Sequence, residues 1–516
     1  MMANMSSCNP VSMRLMKVGT AKPQSFSTTQ ASGETHSLVN NYENAISTLN
    51  TLQSNFSVLQ DSMSRKHQDD SKHIGDTIKY LERIGIKLEN LDKLSAIHVS
   101  GTKGKGSTCA MIESILRSNG YRTGFFSSPH LVSVTERIRL NGMPISTEKF
   151  SETFWRIYER LSASREHMND LPSYFGFLTI LAFDVFLREE VDVCVVEVGI
   201  GGRYDCTNAL RRTATVGITS LGLEHTKLLG NTLEEIAWQK AGIIKPGSDV
   251  YTVEQPAQCM QIIEQQCAQS KAKLHIVPSR LDSYRWTQKP SLINDNCTVV
   301  ELNTSLAIQI ASSWMCRTHP EVKPATSPLL ISQQTATGVD SCFWPGRLQR
   351  ITYDSFRTLY LDGAHTVEST DVCARWFSTK SNSQHKRLLI FNTTGDRDSF
   401  KLISTLSRAV KFDAAFFAPN IAFCSESCVD ATNHNFPLEQ QIERCRQNYM
   451  FWVKELKNEK GFLGGSIDAV FNQIEHEYSG SEQFCDILVT GSIHLIGATL
   501  TALKLEKYAH STTPEE

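Results

Sequence analysis

Apolar positions along the chain follow two periods. Ile46, Leu49 and Leu52 within 38–60, then Ile78, Leu81 and Ile84 within 74–90, recur at helical spacing. Leu94, Ile97 and Val99 form a short extended run that empties into Gly101-Thr102-Lys103-Gly104-Lys105-Gly106-Ser107. Met111, Ile112, Ile115 and Leu116 then return to helical spacing, which Gly120 stops. Thr123 to Ser127 reads as a strand entering Ser128-Pro129-His130, a turn that proline keeps out of helix. Phe150, Phe154, Ile157 and Leu161 mark a helix after Ser146. Val191 to Val198 and Ala214 to Ser220 are unbroken β-rich runs, as in strands covered on both faces of a parallel sheet. Thr232 to Glu235 is a capping box that opens a helix through Lys240, and Gly242 closes it. Strands alternating with helices predict a doubly wound α/β layer.

Residues 280–345 lose that rhythm and gather Pro320, Pro324, Pro328 and Pro345, which places a linker at 336–346. A second alternation follows, with strand-like runs at Thr358–Leu361, Arg387–Phe391, Ala414–Ala418 and Ile487–Thr490. The expected fold class is therefore α/β. A P-loop-type doubly wound domain over 41–335 precedes a smaller Rossmann-like domain over 347–510. Residues 424–485 are polar and weakly periodic, and read as a loop-rich insertion.

A chain of 516 residues has length for two or three domains with buried cores. The net charge of -2 gives no global field toward nucleic acid or anionic lipid. No apolar run reaches the ~18 residues of a membrane helix; Phe175 to Leu187 is broken by Asp184. The 14 cysteines are scattered without a C-x-x-C pair, which reads as reduced intracellular thiols. Residues 1–33 lack Asp and Glu, are rich in Ser and Thr, and carry Arg14, Lys17 and Lys22. That composition suits a disordered leader over 1–40, equally a mitochondrial transit peptide.

A strand, a Gly-rich turn and a helix start, in that order, make a phosphate cradle in which backbone N–H groups and the helix dipole converge on an anion. Lys105 would reach the terminal phosphates. The match to the usual phosphate loop is imperfect: Val99 replaces the first glycine, and Gly106 stands where the metal-binding hydroxyl belongs, with Ser107 one place later. Glu197 ends a buried strand, where a carboxylate facing the loop can hold Mg²⁺. By itself, a strand-end Glu is more often a cap, and His225 past the next strand is more often structural. Lys240 shares a helix stripe with Leu233, Ile236 and Ala237, so an ammonium there needs a partner or must lose its charge.

These stretches resemble the folylpolyglutamate synthases of the Mur ligase superfamily, of eukaryotic type. The matching pieces are GTKGKGS (101–107), FFSSPHL (125–131), ERIRLNG (136–142), EVGIGGRYDCTN (197–208), SLGLEHTKLLG (220–230), IAWQKAGIIKPG (236–247), WPGR (344–347), LDGAHT (361–366), FNTTGDRD (391–398) and VTGSIHLIG (489–497). They occur in family order from about residue 42 to 507. The resemblance implies that Ser128, Glu197 and His225 hold magnesium and that Gly104, Lys105, Gly106 and Ser107 bind the ATP phosphates. It implies that Lys240 is carbamylated to hold a second ion, that Asn303, Arg347 and Asp362 contact ATP, and that His365 lies near the glutamate site. Lys105, Lys240 and His365 are then the catalytic set. The cofactors are ATP and two Mg²⁺ ions, with K⁺ as a further cation. One departure stands out: the family's His-Gln pair shortly before Asn303 is absent, and the chain reads Val299-Val300-Glu301-Leu302.

The resemblance implies an ATP-dependent ligase that adds L-glutamate through γ-linkage to reduced folates by way of an acyl phosphate, acting as a monomer in cytoplasm and mitochondrion, in the matrix or at the inner membrane. Its partners are small molecules, without nucleic acid or a membrane span. The nearest rival is a dihydrofolate synthase or a bifunctional enzyme. From another class comes a P-loop switch or assembly ATPase without ligase activity, and a third alternative is a catalytically dead folate-binding relative.

Overall fold

The computed structural model describes residues 41–52, 72–290, 298–319, 330–395, 397–424, 437–478 and 483–510. The leader over 1–40 and most of the predicted helix past Leu52 lie outside these residues; the helix itself is seen as Tyr42–Thr51.

Eight strands build the first sheet: β1 Ala96–Ser100, β2 Thr123–Phe126, β3 Ile138–Leu140, β4 Met143–Pro144, β5 Val193–Glu197, β6 Thr215–Ile218, β7 Asp249–Thr252 and β8 Lys273–Ile276, in the order β4-β3-β2-β5-β1-β6-β7-β8. All pairs are parallel except the β2–β3 and β3–β4 edge. β1 lies between β5 and β6, with Val99 opposite Glu197 and Ser100 opposite Ile218. The chain leaves β1 for one side of the sheet and later returns to its other side. A crevice therefore opens at the carboxyl ends of β1, β5 and β6. β1, β5 and β6 are buried along their whole length, which explains their unbroken apolar sequences.

Helix Lys105–Ser118 follows β1 and packs on the sheet through Ile112 and Ile115, which share a core cluster with Leu306, Ile310 and Trp314 of helix Thr298–Thr318. Full burial of each such aliphatic side chain contributes about 2 kcal/mol, fixing the loop that precedes the helix. Helix Tyr174–Arg188 is buried on nearly all sides, and the acid within it, Asp184, is paired with Arg156 and Arg188. No described helix is long and apolar enough to cross a membrane.

β9 Arg285–Trp286 and β10 Leu330–Ile331 form a small parallel pair. Helix Gln333–Asp340 takes up the first residues of the predicted linker and lies against helix Lys105–Ser118, with the Ser114 hydroxyl donating to the Gly338 carbonyl at 2.7 Å. Residues 341–348 then lead into the second sheet.

That sheet has the order β11-β12-β16-β13-β14-β15, with β11 Gln349–Thr352, β12 Arg357–Asp362, β13 Lys386–Phe391, β14 Ala414–Phe417, β15 Gly461–Leu463 and β16 Cys485–Thr490. It is parallel apart from β11. The fold is thus mixed α/β, with two doubly wound sheets.

The expectation of a loop-rich insertion over 424–485 is corrected. Its described residues hold helix Leu438–Met450, a π-turn at Phe451–Glu455, the edge strand β15 and helix Ile467–Tyr478. Helix Leu438–Met450 buries Gln441, Cys445 and Asn448, and the Gln441 side chain accepts from the Asn420 N–H. Polar side chains at inward positions hide the apolar period that marks a helix.

Candidate active site

The Gly-rich turn is held from three sides. The N–H groups of Thr102 and Lys103 donate to the Ser220 carbonyl past β6, at 3.0 and 3.1 Å. Gly104 is the N-cap of helix Lys105–Ser118 at φ 86, a left-handed conformation that side-chain-bearing residues resist. The amide of Asn303 lies over Gly104, so closely that an added Cβ would fall 2.5 Å from its Oδ1. From beneath, the Lys240 ammonium donates to the Gly101 carbonyl at 2.7 Å, and the Ser100 hydroxyl donates to the Lys240 carbonyl at 3.0 Å. Lys240 therefore lies behind the loop instead of in the cavity wall. Burial, reinforced by the Lys105 charge, lowers its pKa to about 7.

Glu197 ends β5 beside the loop with 5% of its surface exposed. Burial raises its pKa, against the opposing charge of Lys105, the hydrogen bond from the Ser128 N–H (3.1 Å to Oε2), and the charges of Arg347 and Arg137. Ser128 and Glu197 are thus brought together, and Glu197 Oε2 stands 3.5 Å from where a Cβ on Gly106 would be. His225 lies on the wall of the same cavity at φ 51, with burial lowering its pKa and Glu224, Lys105, Lys240 and Arg397 as its charged neighbours. Among the described residues no three His, Cys, Asp or Glu side chains form a metal cluster. A cation here must take ligands from hydroxyl groups or a bound substrate as well.

The second sheet supplies the opposite wall. Arg347 follows the turn at Gly346, and Asp362 ends β12. The Asp362 carboxylate accepts from the N–H of Leu348 (2.8 Å) and of Ala364 (2.9 Å), so its visible work is to fold the Arg347 loop onto the end of β12. His365 has Nδ1 2.8 Å from the Gly363 carbonyl and Nε2 3.3 Å from Glu224 Oε1, which joins the two halves. Lys103 of the loop and Glu368 form a second bridge at 2.7 Å. A cavity of about 2560 Å³ lies between these walls, lined by Lys105, Glu197, His225, Arg347, Asp362 and His365 among others.

Three cavity residues were not singled out from the sequence. Glu224 would be raised by burial, but the His365 hydrogen bond and the charges of His365, His225 and Lys105 hold its pKa at about 2. Trp344 stands beside Gly106, with its Nε1 3.3 Å from where a Cβ would be. Arg397 lines the cavity and donates to the Thr394 carbonyl and hydroxyl. Each lies inside a quoted motif, yet only folding shows which residue of the motif faces the site.

No family model matches the chain. A protein named mitochondrial folylpolyglutamate synthase from Bos taurus is 42% identical over 438 residues, covering 80% of this chain and 74% of the relative. One of the same name from Cricetulus griseus is 41% identical over 542 residues, covering 90% and 92%. A solved bifunctional folylpolyglutamate synthase/dihydrofolate synthase from Yersinia pestis, complexed with AMPPNP and a Mn ion, superposes with a TM-score of 0.61 at 22% identity, over 88% of this chain and 99% of that one. At that identity the superposition shows a shared fold. Identity above two fifths, over nearly the whole length of both chains in the Cricetulus griseus case, shows that this chain belongs to the folylpolyglutamate synthase family.

Proposed function

We infer that this chain is an ATP-dependent ligase that joins L-glutamate through its amine to the terminal γ-carboxyl of a reduced folate or folylpolyglutamate. A carboxylate is a poor electrophile, and amide formation in water is unfavourable. The folate γ-carboxylate attacks the γ-phosphate of ATP, giving an acyl phosphate and ADP. The glutamate amine then attacks the acyl carbon, loses a proton as the tetrahedral intermediate forms, and inorganic phosphate leaves.

The carrying observation is the shared cavity. One wall holds the N-terminus of helix Lys105–Ser118, with Lys105 and the buried Glu197; the other holds Arg347, Asp362 and His365. Lys105, Arg347 and the loop N–H groups offset negative charge on the transferring phosphoryl group, the dominant contribution to this class of reaction. His365, fixed between Gly363 and Glu224, is in the wall where the incoming amino acid would be received.

The donor set fits magnesium: a buried strand-end carboxylate, the Ser128 hydroxyl in the same loop as the N–H that meets it, and an imidazole near Lys105. Ser128, Glu197 and His225 would hold one such ion, and a carbamylated Lys240 a second, with K⁺ as a further monovalent cation. A bound divalent ion supplies charge neutralisation and polarises phosphate oxygens. Lys240 suits carbamylation, because burial beside Lys105 leaves its amine substantially neutral near pH 7. Its chain carbons pass behind the loop, so that modification would replace the contact to the Gly101 carbonyl.

The site is completed within one chain, which supports action as a monomer on small-molecule substrates. The relatives named mitochondrial support a mitochondrial pool, and we place a second pool in the cytoplasm. The test is a mass spectrum of folate products after incubation with MgATP, glutamate and tetrahydrofolate, run beside dihydropteroate as the alternative acceptor. Products longer by successive glutamyl residues are expected with tetrahydrofolate. ATP hydrolysis without glutamyl addition to either acceptor would refute the ligase reading.

A further inference from the structure

In an ordinary phosphate loop the residue after the lysine carries a hydroxyl; here it is Gly106. The backbone does not require glycine there, because Gly106 sits in the first turn of helix Lys105–Ser118 and is not among the positive-φ glycines. What stands against a side chain is Trp344, whose Nε1 and Cζ2 lie 3.3 and 3.4 Å from where a Cβ would be. Trp344 belongs to the stretch that crosses from the first half of the chain to the second.

The indole is not free to yield. The Phe125 ring packs against it at 5.4 Å between centroids, and the Arg139 guanidinium lies over it at 5.2 Å. Arg139 is itself fixed, with 4% of its surface exposed and donors on the Glu136, Gly142 and Ala509 carbonyls. Ala509 belongs to the far end of the second half. Trp344 thus stands beside the first turn of the phosphate-loop helix, held by Phe125 and Arg139 of the first half, and Arg139 is in turn tied to Ala509 of the second. The turn carries a second tie to the second half through Lys103 and Glu368.

We propose that Trp344 is a positioning residue that occupies the place of the missing hydroxyl side chain and sets the phosphate loop for ATP only when the crossing stretch is seated. ATP alignment then depends on the arrangement of the two halves. The loop's strand and helix alone do not complete it. This inference rests on the reading of 101–107 as the ATP phosphate loop.

The test is a double-mutant cycle of Gly106→Ser and Trp344→Ala, with Trp344→Phe as the conservative variant. Steady-state kinetics in ATP and the indole fluorescence change on adding MgATP are read together, with circular dichroism to show that each variant is folded. In the native background Gly106→Ser should lower kcat/KM for ATP about tenfold, because the side chain asks for a shift well short of about 1 Å, and a full ~1 Å at a reacting site costs about 100-fold. In the Trp344→Ala background the same substitution should cost less than about threefold more, since the obstructing ring is gone. Trp344→Ala alone should raise KM for ATP more than it lowers kcat, and Trp344→Phe should recover most of the loss. Both should show a smaller ATP-dependent fluorescence change than the native protein, in which Trp238 and Trp376 also line the cavity. Equal costs of Gly106→Ser in both backgrounds, with ATP binding intact, would overturn this inference alone. A native protein that shows neither ATP binding nor turnover would overturn the phosphate-loop reading, and this inference with it.

Discussion

Among the described residues three ion pairs join the halves: His365–Glu224, Lys103–Glu368 and, at the end of the second half, His510–Glu136. The first two should differ sharply in strength. His365–Glu224 is the inner one, with 21% of the Glu224 side chain exposed; Lys103–Glu368 is the outer one, with 75% of Glu368 exposed. In the folded protein the His365 hydrogen bond and the charges of His365, His225 and Lys105 outweigh burial and hold the Glu224 carboxyl at about 2 instead of 4.5. Converted at about 1.4 kcal/mol per tenfold, that is at most about 3 kcal/mol while the imidazole is protonated, and partial wetting and the shares of His225 and Lys105 bring the pair to about 2 kcal/mol. The outer pair belongs to the exposed class, worth under about 1 kcal/mol and screened by salt. Glu224→Gln keeps the shape but removes the charge facing His365, so it should lose about 2 kcal/mol in urea unfolding. Glu368→Gln should lose a few tenths at most. The assay is a pair of urea transitions followed by circular dichroism at low and at 0.5 M salt, with m-values compared to reveal separate melting of the halves. Kinetics in glutamate should repeat the order, because the inner pair also fixes His365. If Glu368→Gln destabilises as much as Glu224→Gln, or if the Glu224→Gln loss vanishes in salt, the claim that burial makes the inner pair the stronger of these two is wrong.

Gly104→Ala places a Cβ 2.5 Å from Asn303 Oδ1 at φ 86, so it should cost about 1–2 kcal/mol in backbone strain and weaken ATP binding further by displacing Asn303; combining it with Asn303→Ala should restore only the steric part. Lys105→Ala should lower kcat by roughly 100-fold or more while leaving the urea midpoint near native, since Lys105 acts on the substrate's charge. Asp170 is buried and accepts from the Glu166 N–H, Arg83, Lys79 and Tyr80, which hold its carboxyl below the usual carboxylate range. A depressed acid stabilises the fold above its ordinary pKa of 3.8 and loses that contribution as pH falls through the folded value. Asp170→Asn should therefore cost about 3 kcal/mol at pH 7, flatten the acid limb of the stability curve, and leave ATP affinity unchanged by titration.

What the sequence disclosed follows from how locally each feature is encoded. The turn at 101–107, the capping box at Thr232 and the buried runs of β1, β5 and β6 each need only a few neighbouring residues to declare themselves, and the structure places them as read. β7 and β8 escaped because they lie toward one edge of the sheet and alternate or expose their side chains, so no continuous apolar run marks them. The π-turn and β15 escaped because Gln441 and Asn448 take inward positions in the helix before them. At the site, the resemblance supplied the residues but not their geometry. Asp362 is engaged by two backbone N–H groups, Lys240 lies behind the loop, and Trp344 and Glu224 matter through partners more than a hundred residues away in the chain.

The absent His-Gln pair can be weighed on the same footing. Register along helix Thr298–Thr318 is set downstream, by Leu306, Ile310 and Trp314 in the core and by the Ser305 hydroxyl donating to the Pro278 carbonyl at 2.6 Å. Glu301 adds a hold on the first turn, accepting from the Leu281 N–H at 3.1 Å. None of these anchors involves residues 299 and 300, so Asn303 reaches Gly104 whatever those two positions carry. Val299 and Val300 instead line the cavity, and 47% of Val299 is exposed. Changing them leaves the phosphate end of the site as it is and exchanges a polar patch of wall for an apolar one. On the proposed function, the departure alters the surface offered to a nucleotide at one edge, while Lys105, Glu197 and Arg347, the residues proposed for phosphoryl transfer, are held by other contacts.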